Sequence, residues 1–345
     1  MVKNENYQDR LLKTFRTANP YFMWVFFLVL ALLPLVVKSE YYLSVLIIWL
    51  IYATLAVSWN LMVGYAGILS FGHQAFYGLG AYFSAIITME FHLSPWIGIP
   101  LGGCFAALLS FVIGFPCLRL RIAPYIAIAT LAFSEILLVI CKNWVSLTRG
   151  EMGLSGIPPL QDFSLFGLLP VVFAGGAKVP YYYVMLGIFF ITLLFIYFQA
   201  SSKVGLAFKA MREEQDAAAS LGVNITRYKL IAFLTGSFFA GATGAFYAHY
   251  VSILAPDAVF GMGEMVEIVA ITLIGGIGTF FGPILGAFVL VVGLEALRGL
   301  ADYRLMIYGA VMVILIILMP NGLLAGFNHL LEKIRGFGVF RKARN

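Results

Sequence analysis

Few side chains in this chain could do chemistry, and they stand far apart. Glu135 sits in the middle of IAIATLAFSEILLVI, His73 follows a glycine-rich turn, and Glu264, Glu267, Glu295 and His249 lie near the ends of other apolar runs. An unpaired charge at the depth of Glu135 costs about 2.5–3.5 kcal/mol on insertion scales. Its carboxyl must therefore be protonated, paired or in contact with water, and both path lining and helix docking are open roles for it. His73 has no acid nearby in sequence that would build a proton relay, and a lone histidine reads first as a hydrogen-bonding core residue. Glu264 and Glu267 begin a short span near one face and are expected to be solvated, Glu295 has Arg298 within pairing distance along the chain, and His249 has no obvious partner. No nucleophile and base, acid pair or metal quartet occurs at usable spacing, so no catalytic residue is assigned. Cys104, Cys117 and Cys141 form no CxxC and read as small core residues, with no metal or cofactor expected. The P-loop pattern G-x-x-x-x-G-K-[ST] is absent, so energy for any uphill task must come from a partner or an ion gradient.

The longest polar interruption is Ser201 to Lys229, SSKVGLAFKAMREEQDAAASLGVNITRYK. At 100° per residue, Lys209, Arg212, Glu213 and Asp216 fall on one arc and Leu206, Ala210, Met211, Ala217, Ala218 and Leu221 on the other. That predicts one short amphipathic helix with pairs Lys209/Glu213 and Arg212/Asp216, stopped at Gly222. Glu214 projects among Ala207, Ala210, Ala218 and Leu221, and an acid on the apolar side suggests a protein partner. A solvated loop with an interfacial helix is the other reading of the same pattern.

The surroundings of these groups fix the class. Of 345 residues, 62% are hydrophobic and 11% charged, where soluble proteins carry about a quarter charged; mean hydropathy is +0.96. The chain is expected to be an all-α polytopic membrane protein whose 35 glycines and 13 prolines mark broken or closely packed helices. The net charge of +6 reads as basic cytoplasmic loops, with no call for nucleic acid. No cleavable signal is evident, so the first span is expected to stay. Apolar segments run at about 20–37, 43–63, 75–90, 96–116, 122–141, 181–199, 230–252, 264–277, 282–298 and 304–320, for a bilayer core of about 30 Å. With the N-terminus inside, ten crossings put sixteen of the 22 Lys and Arg on the cytoplasmic side. A single bent span over 264–298 would move the basic tail outside, so ten crossings with both ends cytoplasmic are preferred. The parts are then a cytoplasmic arm 1–19, a membrane domain 20–324 with a cytoplasmic loop 200–229, and a basic tail 325–345. The connection 142–180 reads as an ordered external cap with little regular structure, or as a plain linker.

Two glycine-broken stretches share a G-x-x-G then F-G pattern: Gly64-Tyr-Ala-Gly67-Ile-Leu-Ser-Phe71-Gly72 and Gly275-Gly-Ile-Gly278-Thr-Phe-Phe281-Gly282. A pair of Gly/Pro-interrupted spans in two halves of a transporter points to a substrate path. Gly67, Gly275, Gly278 and the polar Asn60, Ser70, His73 and Gln74, with Glu135, are the candidate path residues. For the polar ones three roles stay open: binding substrate, gating, or satisfying freed backbone groups.

The run from Glu214 through Ala217, Ala218 and Ala219 to the glycine region resembles the coupling segment of ATP-binding-cassette importer permeases. The pattern G-x-x-S-F-G-H-x-A-F-x-G-x-G-A-Y over Gly67–Tyr82 and T-L-A-F-x-E from Thr130 are similar to branched-chain amino acid permeases of the LivM type. The likeness covers about Tyr52 to Leu324. It implies a multi-pass permease subunit of a bacterial inner membrane, working with a second homologous permease, two cytoplasmic ABC ATPases and an external substrate-binding protein delivering leucine, isoleucine or valine. It also implies that Arg212, Glu213, Glu214, Asp216, Ala217, Ala218 and Gly222 couple to the ATPases. The chain departs from the family at Ala123-Pro124, where Gly-Asp is frequent, and at Arg149, where a glycine is frequent. Urea and amide permeases look similar, so the cargo stays open, and an ion-coupled carrier using Glu135 or His73 is the competing mechanism.

Overall fold

Long apolar runs with few charges leave the backbone one economical choice, the α-helix, which satisfies its own hydrogen bonds. The structure is a computed structural model and describes residues 20–296 apart from 38, 120–122, 166–168, 172 and 174–176, together with 306, 309, 310, 313, 317, 322 and 323. The N-terminal arm, Arg121, Arg298, Arg304, the basic tail and nearly all of the expected tenth segment lie outside the described residues.

The helices are α1 (Pro20–Val36), α2 (Glu40–Asn60, continued by a π turn at Leu61–Tyr65), α3 (His73–Glu90), α4 (Pro95–Cys117), α5 (Ala123–Asn143) and the short α6 (Val145–Thr148). After them come α7 (Lys178–Ser201), α8 (Lys203–Glu213), α9 (Gln215–Ser220), α10 (Ile225–Val251), the short α11 (Pro256–Phe260), α12 (Met262–Gly275) and α13 (Gly282–Ala296). Six helical stretches are long and apolar enough to cross a membrane by length and composition, and α1 and α13 are shorter apolar helices. Among the described residues, each of the first nine of the ten apolar segments is helical over most of its length.

The stretch 264–298 is two helices rather than one bent span. Gly286 packs on the Ile271 carbonyl and Gly275 on Gly282, so α12 and α13 run antiparallel through the turn at 276–281.

At the centre α10 packs most extensively on α4 and α3, and α2 on α7 and α13. The α3–α10 contact is tight because Gly80 faces the backbone of Gly241, where any side chain would collide. Outward-facing Leu28, Val112, Ile128 and Phe198 are exposed on α1, α4, α5 and α7, as lipid-facing positions require.

The described residues of 142–180 form a cap with short regular pieces. Strand β1 (Leu154–Ser155) pairs antiparallel with β4 (Ile253–Leu254), and β2 (Phe163–Leu165) with β3 (Leu169–Val171). His249 does have partners: its Nδ1–H donates to the Pro158 carbonyl at 2.7 Å and its Nε2 shares a hydrogen bond of 2.8 Å with Ser84 Oγ, which pins the cap to α10 and α3. Lys142 of α5 pairs with Asp257 of α11 at 2.7 Å on the same side.

Candidate functional site

Ser202 caps α8 by accepting from the Val204 N–H at 3.1 Å, and α8 then buries Gly205, Ala207, Phe208 and Met211. At Glu214 the backbone becomes extended, with φ −154° and ψ 111°, before α9 begins. The single amphipathic helix expected here is therefore two helices broken at one residue. Glu214 misfits the helical projection because it is not helical, and the break removes the spacing behind the Arg212/Asp216 pairing. The expected apolar arc is also corrected: Ala207, Met211 and Ala218 are buried, while Leu206 and Leu221 are 67% and 84% exposed. Of the expected coupling residues, Glu213, Glu214, Asp216, Ala217 and Gly222 lie on the exposed side and Ala218 is buried.

Arg212 is exposed as well, but its guanidinium reaches back to the two glycine breaks. Its guanidinium donates to the Gly64 carbonyl at the end of α2, and it lies against Gly278 in the α12–α13 turn, where a Cβ would come within 2.5 Å of its Nη1. From the other side Asn60 bridges the same two segments. Its Nδ2 donates to the Thr279 carbonyl at 2.9 Å, and its Oδ1 accepts from the Gly278 N–H at 2.8 Å. Gly278 has φ +76°, a left-handed conformation that glycine adopts without strain. Gly64 sits where a Cβ would run into the Asn60 amide and the Gly278 backbone. The two glycine breaks, read only as a weak repeat in the sequence, are clasped together beside the α8–α9 element.

The remaining candidates of the first break are buried. Trp59 Nε1 donates to the Ser70 carbonyl at 2.8 Å, the Phe71 N–H donates to Thr130 Oγ1 at 3.0 Å, and Gln74 Nε2 donates to Ser134 Oγ at 3.0 Å. The His73 ring shares a hydrogen bond of 2.9 Å with Ser58 Oγ. Gly67, at φ +69°, rests against the backbone of Arg212. Thus Asn60 satisfies freed backbone groups directly, while His73 and Gln74 tie α3 to α2 and α5. Gly275 lies at the end of α12 against Gly282. Glu135, half-buried on α5, is not drawn into the clasp.

Sequence reasoning missed three things. Lys229 is 1% exposed and donates from Nζ to Gln215 Oε1 at 2.9 Å, tying α9 to α10; its signal was a lysine one turn into an apolar helix. Thr130 and Ser134 receive the first break, and only their place inside a motif hinted at it. Glu264, expected to be solvated, is only half-buried, and what the sequence did not show is that it accepts from Tyr52 Oη at 3.0 Å.

The family profile described as branched-chain amino acid transport system / permease component matches residues 41–318. The chain is 33% identical over 290 residues to the high-affinity branched-chain amino acid transport system permease protein LivM of Salmonella typhimurium, covering 80% of this chain and 68% of that one. It is 33% identical over 293 residues to LivM of Escherichia coli strain K12, with the same coverage. It is 25% identical over 286 residues to the permease protein LivH of Escherichia coli K12, covering 79% of this chain and 91% of that one. No solved structure matches the chain.

Proposed function

The chain belongs to the permease family of branched-chain amino acid transport systems, and on that premise we propose that it is one of two permease halves of an ATP-driven importer of leucine, isoleucine and valine. Both LivM and LivH of one organism resemble it, which supports pairing with a second, related permease. The other partners in this reading are two cytoplasmic ABC ATPases and an external substrate-binding protein. The membrane domain crosses the bacterial inner membrane ten times with both ends in the cytoplasm, a reading supported by the charge distribution and by α12 and α13 being separate helices.

The observation that carries the reading is the contact of Arg212 with both glycine breaks. In the proposed mechanism, nucleotide-driven closure of the ATPases displaces α8 and α9 through their exposed rim of Glu213, Glu214, Asp216 and Leu221. Arg212 passes that displacement to the end of α2 at Gly64. The two hydrogen bonds of Asn60 carry it on to the α12–α13 turn, so that both breaks move as one body and open or close the inner end of the path. No bond is made or broken in the cargo, and this subunit supplies shape, hydrogen bonds and a lever.

The complete complex in proteoliposomes tests this. Leucine uptake is expected to require ATP and to resist an ionophore. Arg212→Ala is expected to lower uptake by about tenfold or more, the worth of a charge-assisted hydrogen bond, while the ATPases still co-purify. Uptake by the wild-type chain without ATP that collapses with an ionophore would overturn the proposal.

A further inference from the structure

Glu264 lies on α12, within a stretch long and apolar enough to span a membrane, and its carboxylate is half-buried rather than sealed. A carboxylate at such a position does not face lipid; it faces a partner, a water-filled path or a ligand. One oxygen, Oε2, accepts from Tyr52 Oη at 3.0 Å. The other makes no hydrogen bond among the described residues. The ionic neighbour that acts on Glu264 is a second acid, Glu267, and no lysine or arginine among the described residues offsets it.

Two further tyrosines lie within electrostatic reach of that carboxylate, Tyr77 of α3 and Tyr247 of α10. Their rings are in contact, with centroids 5.6 Å apart and planes tilted by 44°. Tyr77 is only 3% exposed, yet its hydroxyl has no hydrogen-bond partner among the described residues. Tyr77 Oη is not one of the sealed polar atoms of the described residues, so both it and the second oxygen of Glu264 are left able to bind a ligand. The site offers a cation a carboxylate oxygen, phenolic oxygens that accept, and two ring faces. Its phenols can also donate, as Tyr52 does, but the charged groups, Glu264 and Glu267, are both acids and disfavour an anion.

We infer that Glu264, with Tyr52, Tyr77 and Tyr247, holds the ammonium end of the transported amino acid as it passes between α2, α3, α10 and α12. The inference rests on the proposed transport function for the identity of its cargo. The chemistry is that of a primary ammonium carrying an apolar body, and the carboxylate of the zwitterion is bound outside this cluster. An inorganic monovalent cation has part of the same chemistry, and the test separates the two.

The test uses the permease pair with its ATPases in nanodiscs, without receptor or nucleotide, and measures binding of radiolabelled isoamylamine, which keeps the ammonium and side chain of leucine but lacks its carboxylate. Leucine is expected to compete for the site and isocaproate, which lacks the ammonium, is not. Glu264→Gln keeps an acceptor for Tyr52 but loses the charge, and is expected to weaken amine binding by about tenfold or more. Glu264→Asp is expected to retain binding within about tenfold of wild type, and Tyr77→Phe, which keeps the ring, to weaken it by about threefold. Three results would each overturn the inference: amine binding unchanged in both Glu264→Gln and Tyr77→Phe, isocaproate competing as well as leucine, or sodium displacing the amine at equal concentration. Because no ATP and no flux are involved, these results are independent of whether uptake is ATP-driven.

Discussion

Asn60 uses both ends of one amide on two consecutive backbone groups 218 and 219 residues away. Removing it leaves the buried Gly278 N–H without a partner, at about 1–3 kcal/mol, and the half-buried Thr279 carbonyl without one at a smaller cost. Asn60→Ala is therefore expected to lower the midpoint of heat inactivation in detergent by several degrees, with Asn60→Asp, which keeps the acceptor, falling between; an unchanged midpoint for both would show that the clasp bears no load. The sequence could single out Asn60 as a polar residue beside a glycine break, because helix ends need such partners. It could not show that the groups satisfied belong to the other break, since nothing local records a contact between distant turns. Arg149 is the converse case. Its left-handed backbone, φ 59° and ψ 18°, costs a residue with a Cβ about 1–2 kcal/mol relative to glycine, and glycine is what the resemblance leads one to expect there. Arg149→Gly is expected to raise the same inactivation midpoint slightly, given that the contacts it loses, to Ser155, are at 3.4 and 3.5 Å.

On the scale of elements, the α8–α9 segment shows what a helical projection misses. The projection assumes one uninterrupted helix, so the single extended residue at Glu214 rotates everything after it. What remained legible was composition: a polar run between two apolar spans, rich in alanine, must be a surface element. The side of it that meets a partner follows from exposure, with Leu221 84% exposed among acids that make no core. A leucine this bare on the same short segment as the exposed Glu213 and Glu214 fits a partner surface with an apolar hollow and positive charge near it. Glu214→Arg reverses the sign at the break without touching a buried contact. The permease is expected to remain folded and monodisperse while co-purification of the ATPases falls by about tenfold; full retention of the ATPases together with normal leucine uptake would remove Glu214 from the contact.

Across the whole molecule, the two ends of the bundle have different builds. At one end the α8–α9 element, the π turn after α2 and the α12–α13 turn meet, joined by side-chain hydrogen bonds to glycine-rich backbone. At the other, the cap is pinned by short strands, by His249 and by the Lys142–Asp257 pair. Hydropathy revealed the helices because lipid demands long apolar runs, but it said nothing about which turns would touch. A lever at one end and a fixed cap at the other suit a path whose inner mouth moves while its outer mouth receives cargo. That arrangement requires the α8–α9 end to be cytoplasmic. In a chain whose Cys104, Cys117 and Cys141 are replaced by serine or alanine, Leu221→Cys and Met152→Cys report the two ends, being 84% and 92% exposed in the parent residues. An impermeant thiol reagent applied to intact cells is expected to label the Met152→Cys protein and to reach the Leu221→Cys protein only after permeabilisation. Labelling in the opposite order would place the lever outside the cell, where no ATP-driven partner could move it.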